Sequence, residues 1–263
     1  MDMIIEVILF LLTGLVAGAF GGLLGLGGAT ILVPALTLAF GLPIHLAIAV
    51  SLVSNIFVSA TAAIGYGRKG LIDKRIVLIM NAGSIAGIVI GTVIATRSPA
   101  ALIKVLFGAF LLILVAEALL RKRQKEEEAR GEPEKINVPG FSALGFGMGL
   151  LGALLGLGGG TLAVPVQNSL FGVPLRNAIA NSLATIFVSA TLGAVLYFLL
   201  GSGHLFSAEE ALLTTAAVVP GSVIGANLAA SVSEKVPTRY IRFIFYAVLL
   251  YIAGNMIKSG MGW

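Results

Sequence analysis

The chain has 263 residues, 58% of them hydrophobic and only 11% charged, with a net charge of +5 and no cysteine. A soluble domain carries charge on about a quarter of its residues, so this composition excludes a solvated globular surface. The missing cysteine excludes a disulfide framework and any Cys-ligated metal site. Val7–Gly67, Ile136–Leu175, Asn177–Ala208 and Ala211–Ser233 contain no Asp, Glu, Lys or Arg, and each exceeds the ~20 apolar residues that span a bilayer. The expectation is an all-α polytopic membrane protein. Its positive balance reflects the Lys/Arg bias of cytoplasmic loops, not nucleic-acid binding.

In chain order, the first half reads as apolar segments at 3–22, 29–40, 45–66, 75–96 and 100–120. The N-terminal Met1–Glu6 has no basic n-region, so the first segment is expected to stay in the mature chain. Arg121–Lys135 is dense in both charge signs and reads as an aqueous linker. The second half gives segments at 140–155, 160–171, 175–200, 208–231 and 238–258. Residues 1–120 and 139–263 thus form two units around a charged cytoplasmic linker, 121–138, in one integrated transmembrane domain.

The two halves are copies. Gly14–Leu52 aligns without gaps on Gly145–Leu183, with just over half of the positions identical. The densest match is Gly25-Leu26-Gly27-Gly28-Ala29-Thr30 against Gly156-Leu157-Gly158-Gly159-Gly160-Thr161, each followed three residues later by Val-Pro. The second segment of each half is about a dozen residues long, or roughly 18 Å of helix against a ~30 Å hydrocarbon core. Segments one and two are therefore read as a broken or re-entrant hairpin. If that hairpin crosses an even number of times, each half makes an odd number of crossings and the two repeats are inverted. With the linker inside, all Lys and Arg except Arg97, Lys104 and Lys258 then fall inside, as the positive-inside rule favours. Parallel repeats split the basic residues less cleanly. Both termini are expected outside, and the host membrane is expected to be the cytoplasmic (inner) cell membrane.

Candidate site residues follow from the breaks. Glycine permits backbone conformations that other residues resist, and irregular backbone survives in a membrane only where protein buries it or a cavity wets it. A helix beginning after such a break presents free N–H groups and a partial positive charge, a neutral way to hold an anion. Broken segments at matching places in inverted repeats point to a transporter site. The candidates are Gly25, Gly27, Gly28 and Thr30 in the first repeat and Gly156, Gly158, Gly159, Gly160 and Thr161 in the second. Gly14/Gly18/Gly22 and Gly83/Gly87/Gly91 recur every fourth residue and are assigned to helix packing instead. In the third segments, Ser51, Asn55 and Ser59 share one helical face, and Asn181, Thr185 and Ser189 repeat the pattern. Asn55, Asn181 and Thr185 are candidate ligand contacts, with interhelical hydrogen bonding as the competing role. His45 and Arg176 occupy equivalent repeat positions, each two residues after a proline. They are candidate mouth residues that attract an anion from opposite sides, or plain interfacial residues.

No catalytic set emerges. His45 and His204 are the only histidines and Asp2 and Asp73 the only aspartates, so no enzyme activity, metal or cofactor is expected. Gly147–Gly152 matches the dinucleotide fingerprint, but it lies in an apolar helix with no preceding strand and is discarded.

The paired Gly-rich motifs ending in Thr-x-x-x-Pro, each followed by Pro-x-x-x-Ala and a Ser/Asn/Thr-bearing helix, resemble the TauE/SafE (toluene-sulfonate-uptake permease) family. The resemblance covers both repeats and implies transport of sulfite, sulfonates or related sulfur anions across a bacterial or archaeal membrane. Ala29 stands where the second copy has Gly160, which makes the two half-sites unequal. The reading is a transporter of small sulfur-containing anions that works by alternating access, with export favoured because no mid-membrane carboxylate is evident to carry a coupled proton. An anion channel or a proton-coupled uptake permease is the alternative. The expected partners are the small anionic substrate and the lipid bilayer, with no nucleic acid. The oligomeric state stays open between monomer and homo-oligomer.

Overall fold

Helix starts and stops follow the punctuation of the sequence. A computed structural model describes residues 3–24, 27–120, 137–232 and 238–262. Gly25 and the linker 121–136 lie outside the described residues. Within them are ten α-helices: α1 Met3–Leu24, α2 Ala29–Pro34, α3 Ile44–Arg68, α4 Lys74–Arg97, α5 Ala100–Leu120, α6 Val138–Leu155, α7 Gly160–Ser169, α8 Leu175–Gly201, α9 Ala208–Val232 and α10 Thr238–Gly260. Six of them are long and apolar enough to cross a membrane. Nine of the ten segments expected from the sequence become one α-helix each, and the segment 29–40 divides into α2 and a π-helical turn. The linker ends one residue early, because Val138 already belongs to α6, where Asn137 caps the helix by accepting from the Gly140 N–H at 3.0 Å. Asp73 caps α4 in the same way, accepting from the Arg75 and Ile76 N–H groups at 2.9 and 3.2 Å. Such caps satisfy donors that a helix start leaves free.

The short second helices differ between the halves. Pro34 has no N–H to continue the ladder. The chain beyond it widens into a π-helical turn, Ala35–Ala39, closed by Phe40 N–H to the Ala35 carbonyl at 3.3 Å. Pro165 sits at the matching place, yet α7 remains α-helical to Ser169.

Packing exchanges elements between the halves. The most extensive helix pairs are α4 with α6 and α1 with α9. Both rest on glycine. A Cβ on Gly14 or Gly18 falls against the Val218 or Ser222 carbonyl oxygen. Gly221 and Gly225 return the relation onto the Leu11 and Leu15 carbonyls. Gly83, Gly87 and Gly91 meet Ser142, Phe146 and Leu150 on α6 in the same manner, answered by Gly145 and Gly149 on Met80 and Ser84. Residue numbers rise together along both pairs, so α1 runs parallel to α9, and α4 to α6. In lipid the tails are as apolar as the side chains, so close backbone contact of this kind drives helix association. The assignment of these glycines to packing is therefore borne out.

Two further pairs run the other way. Gly108 of α5 meets Ala253 and Ile257 of α10, whereas Gly260 meets Ala101 and Val105, and Lys104 Nζ donates to Ser259 Oγ at 3.0 Å. Along α3 and α8, His45 meets Tyr197 while Asn177 reaches Leu71. Both pairs are antiparallel. The central core gathers Leu32, Leu36, Ile44, Ile48, Leu52, Leu155 and Tyr197 between the halves. Leucines on outward faces, such as Leu78 and Leu199, are 69% and 74% exposed, the apolar exterior expected of a chain solvated by lipid.

Replacing Gly18 or Gly87 by leucine is expected to collapse the yield of monodisperse protein in detergent or to lower its melting temperature steeply, since overpacking a tight contact costs about 1–3 kcal/mol or more. Gly65→Ala and Gly147→Ala, where an added Cβ meets open space, are expected to leave melting unchanged or raise it. A fluorescence-monitored thermal ramp on the four variants checks the contrast.

Candidate functional site

The breaks between α1 and α2 and between α6 and α7 require backbone that an L side chain resists. Gly27, Gly156, Gly158 and Gly159 have φ of 69°, 72°, 65° and 85°. Gly156 is the left-handed cap that ends α6, a standard use of glycine. Gly28 differs from its counterpart Gly159: it is right-handed, with φ −67°. Each hairpin closes on a glycine of the longer helix. A Cβ on Gly21 would lie 2.5 Å from the Gly28 nitrogen, and one on Gly152 would lie 2.7 Å from the Gly159 nitrogen.

Ending a helix inside a membrane strands carbonyl groups that must find donors. The second-repeat break finds them on α3 and α8. Ser51 Oγ and Asn55 Nδ2 both donate to the Gly156 carbonyl, at 3.0 and 3.2 Å. Ser189 Oγ donates to the Gly158 carbonyl at 3.0 Å, and Ser182 Oγ to the Gly160 carbonyl at 3.5 Å. The polar stripe of the third segments thus meets the breaks directly. Asn55 is the point where the two breaks converge. A Cβ on Gly27 would be 3.1 Å from Asn55 Oδ1 and 3.3 Å from the Leu157 carbonyl, and one on Gly158 would be 3.3 Å from Asn55 Nδ2. Asn55 is 1% exposed, and Gly27, Gly28, Thr30, Gly156, Gly158, Gly159, Gly160 and Thr161 are all buried.

The remaining candidates are spread along α8 and α3. Asn181 is fully buried beside Ser182, but its side chain bonds elsewhere than the break carbonyls. Its Oδ1 accepts the Asp73 N–H at 2.7 Å and its Nδ2 donates to Gln167 Oε1 at 3.3 Å. Eight residues separate it from Ser189, about 12 Å of helix. Thr185 lies between them and donates back to the Asn181 carbonyl at 2.9 Å. Gln167 did not emerge from the sequence reading, although it is fully buried and its Nε2 reaches the Ala178 carbonyl at 3.4 Å. It stands where the first repeat has Leu36, and an amide in place of that apolar residue is the signal that marks it. The two mouth candidates prove unlike. Arg176 is exposed. His45 is 5% exposed, and its Nδ1 lies 2.8 Å from the Tyr197 hydroxyl. Among the described residues no group of three His, Cys, Asp or Glu side chains is placed to hold a metal.

A family profile described as "Sulfite exporter TauE/SafE" matches residues 10–256. The chain belongs to the TauE/SafE family. Its relatives include the "Probable membrane transporter protein YunE" of Bacillus subtilis, 29% identical across 97% of this chain and 98% of that protein. The "Probable membrane transporter protein MamO" of Magnetospirillum gryphiswaldense is 29% identical across 93% of this chain but only 44% of its own length. The "Sulfite exporter TauE/SafE family protein 5" of Arabidopsis thaliana is 34% identical over a shorter stretch, 34% of this chain and 22% of that protein. No solved structure matches the chain. As a TauE/SafE protein with six apolar spans among its described residues, the chain is a multi-pass membrane transporter.

Gly158→Ala is expected to lower the melting temperature clearly. The left-handed conformation costs an L residue about 1–2 kcal/mol, and the new methyl would also lie 2.8 Å from the Ile186 side chain. Gly172→Ala, with φ 65° but open surroundings, carries only the backbone cost and is expected to fall by less. Equal losses in the two variants, read in the same thermal ramp, would contradict the close convergence at the break.

Proposed function

We propose that this TauE/SafE protein exports small sulfur-containing anions, sulfite or organosulfonates, by alternating access between two inverted repeats. The observation that carries the reading is the convergence of both Gly-rich breaks on Asn55 in a buried centre. Inversion is supported by the antiparallel course of the equivalent pairs α5/α10 and α3/α8. A two-fold axis that relates antiparallel neighbours lies across the helices, and hence in the membrane plane. In this reading the linker and the 68–75 loop are cytoplasmic, both termini are outside, and the membrane is the cell membrane. The wording of the family description supports sulfite as the first substrate to test.

The substrate contacts proposed are the backbone of Gly25, Gly27, Gly28, Gly156, Gly158, Gly159 and Gly160, with side chains of Thr30, Asn55 and Thr161. Thr185 and Asn181 follow on α8 toward the inner face, and exposed Arg176 lies at that same end. Neutral donors at the start of a short helix suit an anion without burying a cation. Export needs no coupled ion, since moving one negative charge outward across an inside-negative membrane gains about 2.3 kcal/mol per 100 mV. Burial of the described residues at the centre supports a cycle in which solute reaches it as the two bundles move relative to each other.

Proteoliposomes with an imposed potential test this. Sulfite or taurine efflux is expected to follow the potential without a proton gradient, to saturate, and to fall at least tenfold in Asn55→Leu. Accumulation only with a proton gradient would replace export by coupled uptake. Non-saturating flux near diffusion rates would replace the transporter by a channel. Binding of carboxylates alone in a thermal-shift screen would overturn the sulfur-anion assignment.

A further inference from the structure

Three layers of hydrogen bonds along α3 and α8 join the two halves: one between the helices, one from α3 to the α6/α7 break, and one, part-buried, from the α3/α4 loop to α8. The central layer is Ser51 and Asn55 on the Gly156 carbonyl. Toward the start of α3 and the end of α8 lies His45 Nδ1 against the Tyr197 hydroxyl, 2.8 Å apart and 152 residues apart in sequence. Tyr197 is fully buried and stacks on Phe206 with ring centroids 5.8 Å apart. Phe206 is delivered by a loop that folds back through a Ser202–Phe206 bridge, and Gly203 N–H donates to the Phe206 carbonyl at 3.0 Å.

At the opposite end the chemistry is different. The loop between α3 and α4 is tied to α8 by two asparagines. Asn177 Nδ2 donates to the Leu71 carbonyl at 3.0 Å, and Asn181 Oδ1 accepts the Asp73 N–H at 2.7 Å. Asn181 is held in that pose by Gln167 of α7. Neither end repeats the other: the counterpart of His45 is exposed Arg176, and the counterpart of Leu46 is Asn177. A symmetric scaffold thus carries one aromatic and one amide closure, on opposite sides of a single buried centre.

We propose that these two layers are the gates of the transport cycle: His45–Tyr197, backed by Phe206, closes the outer path, and Asn177/Asn181 with the 71–73 backbone closes the inner path. The assignment rests on the alternating-access reading above and adds which bonds break on each side. Each gate consists of few hydrogen bonds, whose net worth is small enough to be exchanged during turnover. The glycine-to-backbone interfaces of α1/α9 and α4/α6 stay intact while they do so, because sliding would drive Cα atoms into carbonyl oxygens. Asn181 and Gln167 are then gating residues, and their substitution changes access to the centre before it changes the centre itself.

The chain has no cysteine, so Ser51→Cys gives a single reporter at the central layer. Its labelling by a membrane-impermeant thiosulfonate is measured in right-side-out and inverted vesicles. In this background Tyr197→Phe, which removes only the hydroxyl, is expected to raise labelling from the outer face about fivefold, the order of population shift that one lost hydrogen bond produces, and to leave the inner face unchanged. Asn181→Ser or Asn177→Ala is expected to do the reverse. Thermal melting and size-exclusion profiles of each variant confirm that the fold persists, and Ser189→Cys serves as a second reporter should Ser51→Cys fail to fold. Equal effects on both faces, or no effect of any gate variant on labelling, would overturn the gates. Fast labelling from both faces of the parent reporter, insensitive to every variant, would instead remove alternating access itself.

Discussion

A carbonyl group released by a helix break inside a bilayer has no water to bond, and leaving it bare costs several kcal/mol. Much of the centre follows from that one requirement. The chain breaks twice at Gly-rich stretches, and in the second repeat alternate carbonyls, those of Gly156, Gly158 and Gly160, take hydrogen bonds from Ser51, Asn55, Ser189 and Ser182. Two of these donors, Ser51 and Asn55, come from the other half of the chain. The break in one repeat is therefore completed by the other, and the duplication becomes a single unit through its polar centre as well as its apolar packing. Left-handed glycines are needed at the same place, because only they turn the chain quickly enough to present carbonyls to α3 and α8.

The interfaces divide into two mechanical kinds. Where α1 meets α9 and α4 meets α6, backbone lies directly on backbone and glycine is the only residue that fits. Such contacts tolerate neither rotation nor sliding by more than a fraction of a helical turn. Between α3 and α8, by contrast, small and apolar side chains, including Ala62, Ala180, Ile186 and Ala190, pack together, with a direct polar contact at His45–Tyr197 and others made through the α6/α7 break and the 71–73 loop. Hydrogen bonds can be exchanged one layer at a time. In the proposed cycle, the glycine seams hold each body together and the polar contacts are where the two bodies part.

The helices and the duplication were legible in the sequence because they rest on runs of apolar residues and on glycine, proline and capping residues that act locally. Helix ends agree to within a few residues for the same reason: Gly-Leu-Pro and Gly-Val-Pro stop and restart the chain whatever surrounds them. The glycine seams were legible as four-residue spacing. What stayed hidden depends on long-range pairing. Nothing near His45 announces that its buried ring meets Tyr197, so its residue type and position alone left it between an anion-attracting mouth residue and a plain interfacial one. Asn181 was legible as a buried polar residue, but not as a clamp on the Asp73 backbone. Gln167 escaped because its signal, an amide where the first repeat has Leu36, shows only when the two repeats are compared position by position, and its partners Asn181 and Ala178 lie on another helix. The π-helical turn after Pro34 was also invisible, since Pro165 in the matching place produces none.

The scarcity of charge bears on how an anion is held. No Asp, Glu, Lys or Arg lies between Val7 and Gly67, so in the proposed centre the anion has only neutral donors to meet. Three of those donors, on Ser51, Asn55 and Ser189, are engaged with the carbonyls of Gly156 and Gly158. The same hydrogens cannot serve the carbonyl and an incoming oxyanion fully at once. An anion that draws them away frees the break from α3 and α8, and a break that is freed no longer ties the two halves together at their centre. Ligand and interface then compete for one set of donors. A ligand shifts a conformational equilibrium only through such differential interaction, and here the competition needs no buried charge to supply it.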